Sequence, residues 1–305
     1  MSALTLSHNS TIVRSIFLPV TRTYFAVASR LVPGLARRQA ERLFTAPPRY
    51  TGRAHASVDG RRETVASGTH SLAVWDAGLP GASAVLLVHG WGGRGAQMAS
   101  FVDPLVANRH RVVWFDQPGH GDSGSGPVAL PDLVRAVQAV VANHGPFAAA
   151  IGHSLGAAAL GVALRAGLEL GRVVFVSPPA SIGEHTHKFA RMLGITPAIR
   201  DEMRRRIERR YAVRFAEIDR IEELAALRLP ALFVHDDGDA EVPFANTLRL
   251  SARMPDARLI KTYGLGHRRL LRDANVVRAI VDFVDGNVDD LPAELPVLPR
   301  PAPIY

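Results

Sequence analysis

Cysteine is absent from this chain of 305 residues. Disulfide bonds, thiolate metal sites and a cysteine nucleophile are therefore excluded. The absence is compatible with the reducing cytoplasm, where we expect the protein to be located. Apolar residues make up 47% of the chain, which is enough for a sizeable core and argues against global disorder.

A continuous apolar run long enough to cross a bilayer is also missing. Such a span needs about 20 uninterrupted apolar residues, and Arg14, Arg22 and Arg30 interrupt the N-terminal region. Pro19 interrupts it too, so we expect no long straight helix there and a second short helix over residues 35–44. A stripe of apolar residues nevertheless recurs at helical spacing, at Ile12, Ile16, Val20, Tyr24, Val27 and Leu31.

Three interpretations of this basic helical extension, residues 1–54, remain open. Its helices would pack on the main domain with their arginines in water, or residues 11–45 would contact an anionic membrane peripherally as a basic amphipathic segment. A signal peptide with a cleavage site at Ala26-Val27-Ala28 is the third, although Arg22 and Thr23 occupy the place of its apolar core.

Lysine is nearly absent, because Lys188 and Lys261 are the two lysines among 36 basic residues. The formal charge is +8, and residues 1–55 contribute +7 of it, with eight arginines against Glu41. The rest of the chain is close to neutral. A nucleic-acid-binding domain usually spreads its basic surface over the folded part and interleaves it with aromatic residues. We therefore expect no nucleic-acid partner.

The remainder of the chain alternates apolar strands with helical stretches. Strands are predicted at residues 58–66, 70–75, 84–88, 111–115, 147–151, 173–176, 231–234 and 257–262. Helices are predicted at 97–107, 133–143, 157–168 and 276–284. This alternation predicts an α/β fold with a mostly parallel central sheet and helices on both faces. Polar residues follow the strands, and ligands bind at the carboxyl ends of such strands.

Residues 181–229 break the alternation with charged helical segments at 198–210 and 217–227. We interpret them as a helical cap insertion over the sheet, within a main domain that spans residues 55–305. Phe189, Met192, Leu193 and Ile195 would either line an acyl pocket or form the core of the cap. The last segment, residues 286–305, is rich in proline and is expected to be extended.

A serine motif organises the sheet. Gly152-His153-Ser154-Leu155-Gly156 lies between a predicted strand and a predicted helix. A Gly-x-Ser-x-Gly turn at such a place lifts its serine out of the sheet, and the backbone N–H of Leu155 at the helix start favours negative charge nearby. Alone, the motif is short and recurs by chance.

A serine hydroxyl needs a base and an orienting acid to become a nucleophile. His267 follows a strand in a glycine-rich loop and is the candidate base, with helix capping as the alternative role. The acid should follow the strand at 231–234, where Asp236, Asp237, Asp239 and Glu241 are all available. The residues themselves leave the choice among these four open.

With these motifs the chain resembles the α/β-hydrolase superfamily over residues 55–285. Members place the acid in an Asp-x-x-Val-Pro context, which matches residues 239–243 and implies Asp239. The order Ser154, Asp239, His267 is also theirs. The resemblance further implies that the N–H of Trp91, in the loop His89-Gly90-Trp91-Gly92-Gly93, joins that of Leu155 in an oxyanion hole.

These residues imply a serine hydrolase that cleaves a carboxylic ester or thioester of a small-molecule acyl substrate through an acyl-enzyme. It would need neither cofactor nor metal, and His89, His120, His153 and His235 would be architectural. Two alternatives remain open: an acyltransferase that uses the same acyl-enzyme, and a non-enzymatic ligand-binding homologue. The oligomeric state is not predicted.

Overall fold

Nine strands form one sheet. The computed structural model describes the backbone of residues 5–48 and 60–295, and the side chains of residues 18–48 and 60–295. The predicted strand start at Val58 and the tail from residue 296 lie outside these ranges. The strands are β1 Arg61–Ser67, β2 His70–Ala77, β3 Ala84–Val88, β4 Arg111–Phe115, β5 Ala149–His153, β6 Arg172–Val176, β7 Ala231–Asp236, β8 Ala257–Thr262 and β9 Glu294–Leu295.

The sheet is mostly parallel, as the alternation predicts. Its order is β1-β2-β4-β3-β5-β6-β7-β8-β9, and β2 runs antiparallel to both β1 and β4 while the other pairs are parallel. Side chains of β3, β5 and β7 are buried along their whole length, which is typical of strands covered on both faces. The carboxyl ends of β3 to β8 therefore share one edge of the sheet.

Helices follow the strands and form the 181–219 region. They are α1 Thr5–Leu31, α2 Pro33–Thr45, α3 Val102–Ala107, α4 Leu130–His144, α5 Leu155–Arg165, α6 Ile182–Leu193, α7 Pro197–Tyr211, α8 Phe215–Ile218, α9 Ala245–Ser251, α10 Gly266–Arg269 and α11 Ala274–Asp285. A 3₁₀ helix over Gly95–Phe101 leads directly into α3, so the single helix predicted at 97–107 is two elements.

Each face of the sheet carries its own core. Alternate strand residues, such as Val85 and Leu87, join one cluster with side chains of α3 and α11. The residues between them face the other way, where α5 packs on β5 and β6 and α4 packs on α5. Helices thus cover both faces, and the α/β fold class is confirmed.

The expectation for the N-terminal end was wrong, whereas part of the tail is extended as expected. Helix α1 begins at Thr5 and continues through Pro19 for 27 residues. The proline ring removes one backbone N–H donor, but the buried side chains of Phe25 and Ala28 anchor the rest of the helix. At the other end, the extended segment contributes β9, which pairs in parallel with β8.

The chain divides into two compact units. One comprises residues 47–180 and 220–305, including the whole sheet; the other joins Met1–Ala46 with Ser181–Asp219. Within this second unit, which we call the helical unit, α1 packs on α6 and α2 packs on α7. The N-terminal helices thus belong with a segment that lies far away along the chain. The placement of a cap over Ser154 stays a prediction.

A buried carboxylate joins α2 to α7 in the helical unit. Glu41 is 5% exposed, and its two oxygens each lie 2.6 Å from an arginine, Arg206 Nε and the guanidinium of Arg210. Nearby, Phe44 of α2 packs edge-on against Phe189 of α6 at 5.2 Å between ring centroids. Charge pairing and aromatic packing together hold the N-terminal helices to the 181–219 segment.

The two ends of the 181–219 segment meet at one carboxylate. Asp219 accepts hydrogen bonds from the hydroxyl of Ser181 at 2.7 Å and from the N–H groups of Ile182 and Gly183 at 2.7 and 2.9 Å. It thereby satisfies the first N–H groups of α6, where negative charge is favoured. Of the four predicted pocket or core residues in this segment, Leu193 and Ile195 are buried and Met192 is exposed.

None of the described helices combines the length of a membrane span with sufficient apolar character.

Candidate active site

Ser154 occupies the sharp turn between β5 and α5. Its backbone has φ 53° and ψ −122°, a conformation that non-glycine residues seldom adopt. Its N–H donates to the carbonyl oxygen of Val176 in β6 at 2.8 Å, which ties the turn to the neighbouring strand. The serine therefore stands at the carboxyl edge of the sheet on a constrained backbone.

The two glycines of the motif are required by close backbone approach. A β-carbon on Gly156 would lie 2.6 Å from the carbonyl oxygen of Val88 and would also collide with that of His89. A β-carbon on Gly152 would lie 2.8 Å from the α-carbon of Ala157. Real β-carbons do not make such contacts, so each glycine permits the strand and the helix to meet.

Three predicted site residues from distant parts of the chain form one hydrogen-bonded line. Ser154 Oγ lies 3.0 Å from His267 Nε2, and His267 Nδ1 lies 2.7 Å from Asp239 Oδ2. The carboxylate can only accept, so Nδ1 carries the proton and Nε2 is free to accept the serine proton. Asp239 and His267 are buried.

Asp239 is the one acid of the four candidates whose carboxylate reaches His267. Asp236 is fully buried and accepts from Thr262 Oγ1 and from the N–H of Leu265, both at 2.8 Å. The other two carboxylates form ion pairs: Asp237 with Lys261 at 3.2 Å and Glu241 with Arg268 at 3.1 Å. The contacts of these side chains thus distinguish Asp239 from the other three acids, whereas their positions in the chain do not.

The Asp239 carboxylate is held in its charged form. Burial by itself raises the pKa of this carboxyl, but hydrogen bonds from His235 and His267 outweigh burial and hold the pKa well below its usual range. The N–H groups of Glu241 and Val242 also donate to Oδ1, at 2.8 and 2.9 Å. The group facing His267 is therefore a carboxylate with a fixed orientation.

Two backbone N–H groups near the serine are available to a ligand. Neither Trp91 N–H nor Leu155 N–H donates a hydrogen bond within residues 5–48 and 60–295. Leu155 opens α5, so its N–H has no partner inside the helix. Gly90 brings the Trp91 loop against the serine, since a β-carbon on it would lie 2.9 Å from Ser154 Cβ.

Two buried histidines support this loop. His89 Nδ1 donates to the carbonyl oxygen of Gly90 at 2.7 Å, and its Nε2 accepts from the N–H of Gln117 at 2.8 Å. His120 Nε2 accepts from the N–H of Gly92 at 3.0 Å. Burial lowers the pKa of both imidazoles, which keeps them neutral and able to accept. Their contacts connect the loops that follow β3 and β4.

His153 packs against the candidate base, His267. Its Nε2 lies 2.9 Å from the carbonyl oxygen of His267, and the two rings are 4.7 Å apart between centroids. Burial, together with the charge of His267, lowers the pKa of His153 to about 3. Its Nδ1 is buried and makes no hydrogen bond within the described residues. A neutral ring therefore stays beside His267 across the physiological pH range.

His235 is a neighbour of the acid that sequence reasoning treated as merely architectural. It is fully buried, and its Nε2 lies 3.2 Å from Asp239 Oδ2 and 3.0 Å from the carbonyl oxygen of Val242. Its Nδ1 lies 2.5 Å from Thr247 Oγ1. The only signal in the sequence is the four-residue spacing between His235 and Asp239.

No group of three or more histidine, aspartate or glutamate side chains in the described part of the chain is arranged to hold a metal ion. The chemistry available at this site is that of a hydroxyl, an imidazole, a carboxylate and two free N–H groups. Such a set can transfer an acyl group.

Comparison with known families agrees with this arrangement. The sequence profile of the alpha/beta hydrolase family matches residues 85–279, well over half of the chain. The chain belongs to the alpha/beta hydrolase family. In this family the serine motif, the acid after β7 and the histidine after β8 occur in the order found here.

One curated relative is an esterase. The chain is 33% identical over 128 residues to the pimeloyl-[acyl-carrier protein] methyl ester esterase of Photobacterium profundum, covering 41% of this alpha/beta hydrolase and 47% of that protein. The match thus spans about half the length of that relative. Together with the family, it supports a hydrolase.

Solved structures agree on the fold. Esterase Pf2001 of Pyrococcus furiosus matches with a TM-score of 0.60 and 16% identity, over 79% of this chain and 98% of that one. Est1E of Butyrivibrio proteoclasticus matches with a TM-score of 0.57 and 16% identity, over 75% and 97% of the two chains. At these identities the likeness concerns the fold alone.

Proposed function

We propose that this alpha/beta hydrolase is a serine esterase that cleaves the carboxylic ester of a small-molecule acyl substrate. The observation that carries the proposal is the line Ser154 Oγ, His267 Nε2, Asp239 Oδ2, with contacts of 3.0 and 2.7 Å. Both distances lie within the range for proton transfer between positioned groups. The esterase relative favours an oxygen ester, and a thioester would react by the same route.

In the first half of the reaction, Ser154 Oγ attacks the carbonyl carbon of the ester while His267 Nε2 takes the hydroxyl proton. Asp239 holds the resulting imidazolium by its hydrogen bond to Nδ1. The tetrahedral intermediate collapses, and His267 returns the proton to the leaving alcohol. An acyl-enzyme on Ser154 remains.

The negative charge that develops on the carbonyl oxygen needs donors that are already in place. The unpaired N–H groups of Trp91 and Leu155 are our candidates for this oxyanion hole. Removal of one such donor typically costs about a hundredfold or more in rate. The histidine-supported loop after β3 would hold the Trp91 donor still during the reaction.

The second half of the reaction distinguishes hydrolysis from transfer. His267 removes a proton from water, which attacks the acyl-enzyme and releases the acid. An alcohol or thiol acceptor in place of water would make the protein an acyltransferase with the same residues. A series of p-nitrophenyl esters and acyl thioesters of increasing chain length, with and without an added alcohol, separates these outcomes by their products.

The mechanism is tested by Ser154→Ala, with Ser251→Ala at a surface serine as the matched control. We expect Ser154→Ala to reduce turnover of a p-nitrophenyl ester by about 10⁴-fold or more, since the nucleophile is gone. Ser251→Ala should retain wild-type turnover. Wild-type activity in folded Ser154→Ala protein would refute the acyl-enzyme route.

A non-enzymatic ligand-binding role is the alternative from another class. A fluorophosphonate probe reacts with an activated serine and would label Ser154 in the folded protein. Mass spectrometry of the labelled peptide locates the adduct. A folded protein without an adduct on Ser154 would favour the ligand-binding role over the esterase.

A further inference from the structure

The N-terminal helices present an exposed apolar surface. Among the described residues, eight large apolar side chains are exposed, and five of them fall between residues 20 and 35. These five form what we call the exposed stripe: Val20, Val27, Leu31, Val32 and Leu35. Leu31 is the most exposed of all, at 74%. Single exposed apolar residues are ordinary, whereas such a concentration marks an interaction surface.

The stripe is separate from the packed side of the same helices. At about 100° per residue, Val20, Val27 and Leu31 fall within about 40° of one another around α1. Phe25 and Ala28, which are buried, lie on a different side of α1. In α2, Ala36 and Ala40 are buried whereas Leu35 is exposed. One side of each helix thus stabilises the helical unit and another side is left to solvent.

Unpaired arginines border the stripe. Arg30 lies three residues after Val27 and Arg38 three residues after Leu35, so each is a helical neighbour of the stripe. Arg42 lies about two turns after Leu35 on the same face of α2. All three are exposed. Within residues 18–48 and 60–295, where side chains are described, these arginine side chains make no hydrogen bond or ion pair. They are therefore available to an external anion.

The charge of the whole chain is concentrated in the helical unit. This unit holds 15 basic and 7 acidic residues, whereas the sheet-containing unit holds 21 of each. The complete formal charge of +8 therefore belongs to the helical unit. The partner of the exposed stripe must accordingly offer an apolar phase bordered by negative charge.

We propose that the exposed stripe docks on the surface of an anionic lipid bilayer. Its members are aliphatic valines and leucines, whereas protein interfaces favour aromatic residues and methionine. Aliphatic side chains enter the boundary between headgroups and acyl chains, and arginines beside them meet lipid phosphates. We expect peripheral contact, because none of the described helices is long and apolar enough to span a bilayer. This proposal is independent of the esterase chemistry.

Flotation of the full-length protein with lipid vesicles tests the proposal. We compare phosphatidylcholine vesicles with vesicles that contain about one third phosphatidylglycerol, at low and high salt. Leu31→Ser/Leu35→Ser removes part of the stripe, and Arg30→Gln/Arg38→Gln removes the bordering charge. Leu79→Ser and Arg253→Gln, at exposed positions of the sheet-containing unit, are the matched controls. Thermal unfolding checks that all variants fold.

We expect the wild type to float with the anionic vesicles at least about fivefold more than with the neutral ones. Leu31→Ser/Leu35→Ser should reduce that binding about fivefold or more, and Arg30→Gln/Arg38→Gln should abolish its dependence on anionic lipid and salt. The controls should bind as the wild type does.

Two results would overturn the proposal. One is wild-type protein that stays unbound, or binding that survives both double substitutions. The other is binding to soluble polyglutamate without flotation on vesicles, which would assign the surface to an acidic macromolecule.

Discussion

His235 Nε2 lies 3.2 Å from Asp239 Oδ2, the same oxygen that accepts from His267 Nδ1 at 2.7 Å. The carboxylate is thus shared by two imidazoles: His267 faces the serine, and His235, in β7, is buried and contacts Thr247 of α9. His235 also contacts the carbonyl oxygen of Val242 and the hydroxyl of Thr247. It is therefore placed to hold the orientation of the Asp239 carboxylate that faces His267.

Replacement of His235 should impair catalysis without abolishing it. In His235→Leu, Asp239 would lose one donor and its pKa would rise, since that hydrogen bond helps to keep the carboxyl charged. We expect kcat for a p-nitrophenyl ester to fall about tenfold with KM nearly unchanged, because orientation of the base is affected and substrate binding is not. Asp239 replacement should therefore cost less activity in this background than in the wild type.

Thr247→Val is the companion variant, because it removes the contact to His235 Nδ1 and leaves the Asp239 contact in place. A purely structural role for His235 would lower the unfolding temperature in His235→Leu and leave kcat of the folded enzyme unchanged. Steady-state kinetics and thermal unfolding of the same preparations separate the two cases.

The choice of Asp239 as the acid can be tested against its neighbour Asp237. Asp239→Asn keeps the shape of the side chain but cannot hold the Nδ1-protonated imidazolium, so we expect kcat to fall about 10³-fold or more. Asp237→Asn loses only an exposed pair with Lys261, and its kcat should stay near the wild-type value. If the two variants lost activity equally, Asp239 would not be the acid.

Much of this arrangement was predictable because its signals are local. Buried strands appear as short apolar runs, and the strand–helix alternation determines which ends share an edge of the sheet. The motif around Ser154 requires glycine for steric reasons, and these glycines can be recognised in the sequence. A mostly parallel sheet and the α/β class were accordingly expected.

The rest depends on contacts without a local signal. Glu41 and Arg206 are 165 residues apart, and no periodicity in the sequence predicts that they form an ion pair. Similarly, four acids lie at the end of β7 or after it, and apart from the family resemblance nothing in these residues predicts that Asp239 contacts His267 and Asp236 contacts Leu265. The expectation that Pro19 prevents one long helix was wrong, because packing of the helix stabilises it by more than one missing hydrogen bond costs.

The glycine at position 156 should be indispensable for folding. Gly156→Ala would place a methyl group against the backbone carbonyls of Val88 and His89, which cannot move without disturbing β3. We expect a loss of about 3 kcal/mol or more in the free energy of unfolding. Gly161→Ala is the control in the same helix, since its nearest neighbour would be Phe175 at 3.8 Å.

Gly161→Ala should be neutral or stabilising by up to about 1 kcal/mol, because alanine is the better helix former. Urea unfolding of both variants gives the comparison. Equal stabilities for the two would show that the close approach at Gly156 can relax.

Because the carboxylate of Glu41 is buried, removing it and removing its two arginine partners should lower the free energy of unfolding by unequal amounts. Arg206→Ala/Arg210→Ala leaves a buried charge without partners, which should cost about 3 kcal/mol in unfolding free energy. Glu41→Ala leaves two arginines whose side chains are 36% and 45% exposed, so water screens them and the cost should be nearer about 1–2 kcal/mol.

Glu202→Ala is the matched control on α7, because the partly exposed Glu202 also pairs with Arg37 of α2 at 3.8 Å, besides Arg205 and Arg209 of its own helix. Its stability should match that of the wild type. Hydrogen exchange of α2 should accelerate in the Glu41 and double-arginine variants and stay slow in Glu202→Ala. Equal effects of all three would mean that burial of Glu41 is not the source of the stabilisation.

Acid should destabilise the protein through His153. Its pKa is about 3 in the folded chain, lowered by burial and by the charge of His267, against about 6.5 for an unfolded histidine. Between these values the unfolded chain binds a proton that the folded chain excludes, so the free energy of unfolding falls as pH decreases below about 6.5, by up to about 1.4 kcal/mol per pH unit.

His153→Asn cannot titrate and should show a shallower slope of unfolding free energy against pH in urea unfolding from neutral pH to about pH 4.5. The exposed His187→Asn should keep the wild-type slope. A His153→Asn slope equal to that of the wild type would mean that His153 takes up its proton without unfolding.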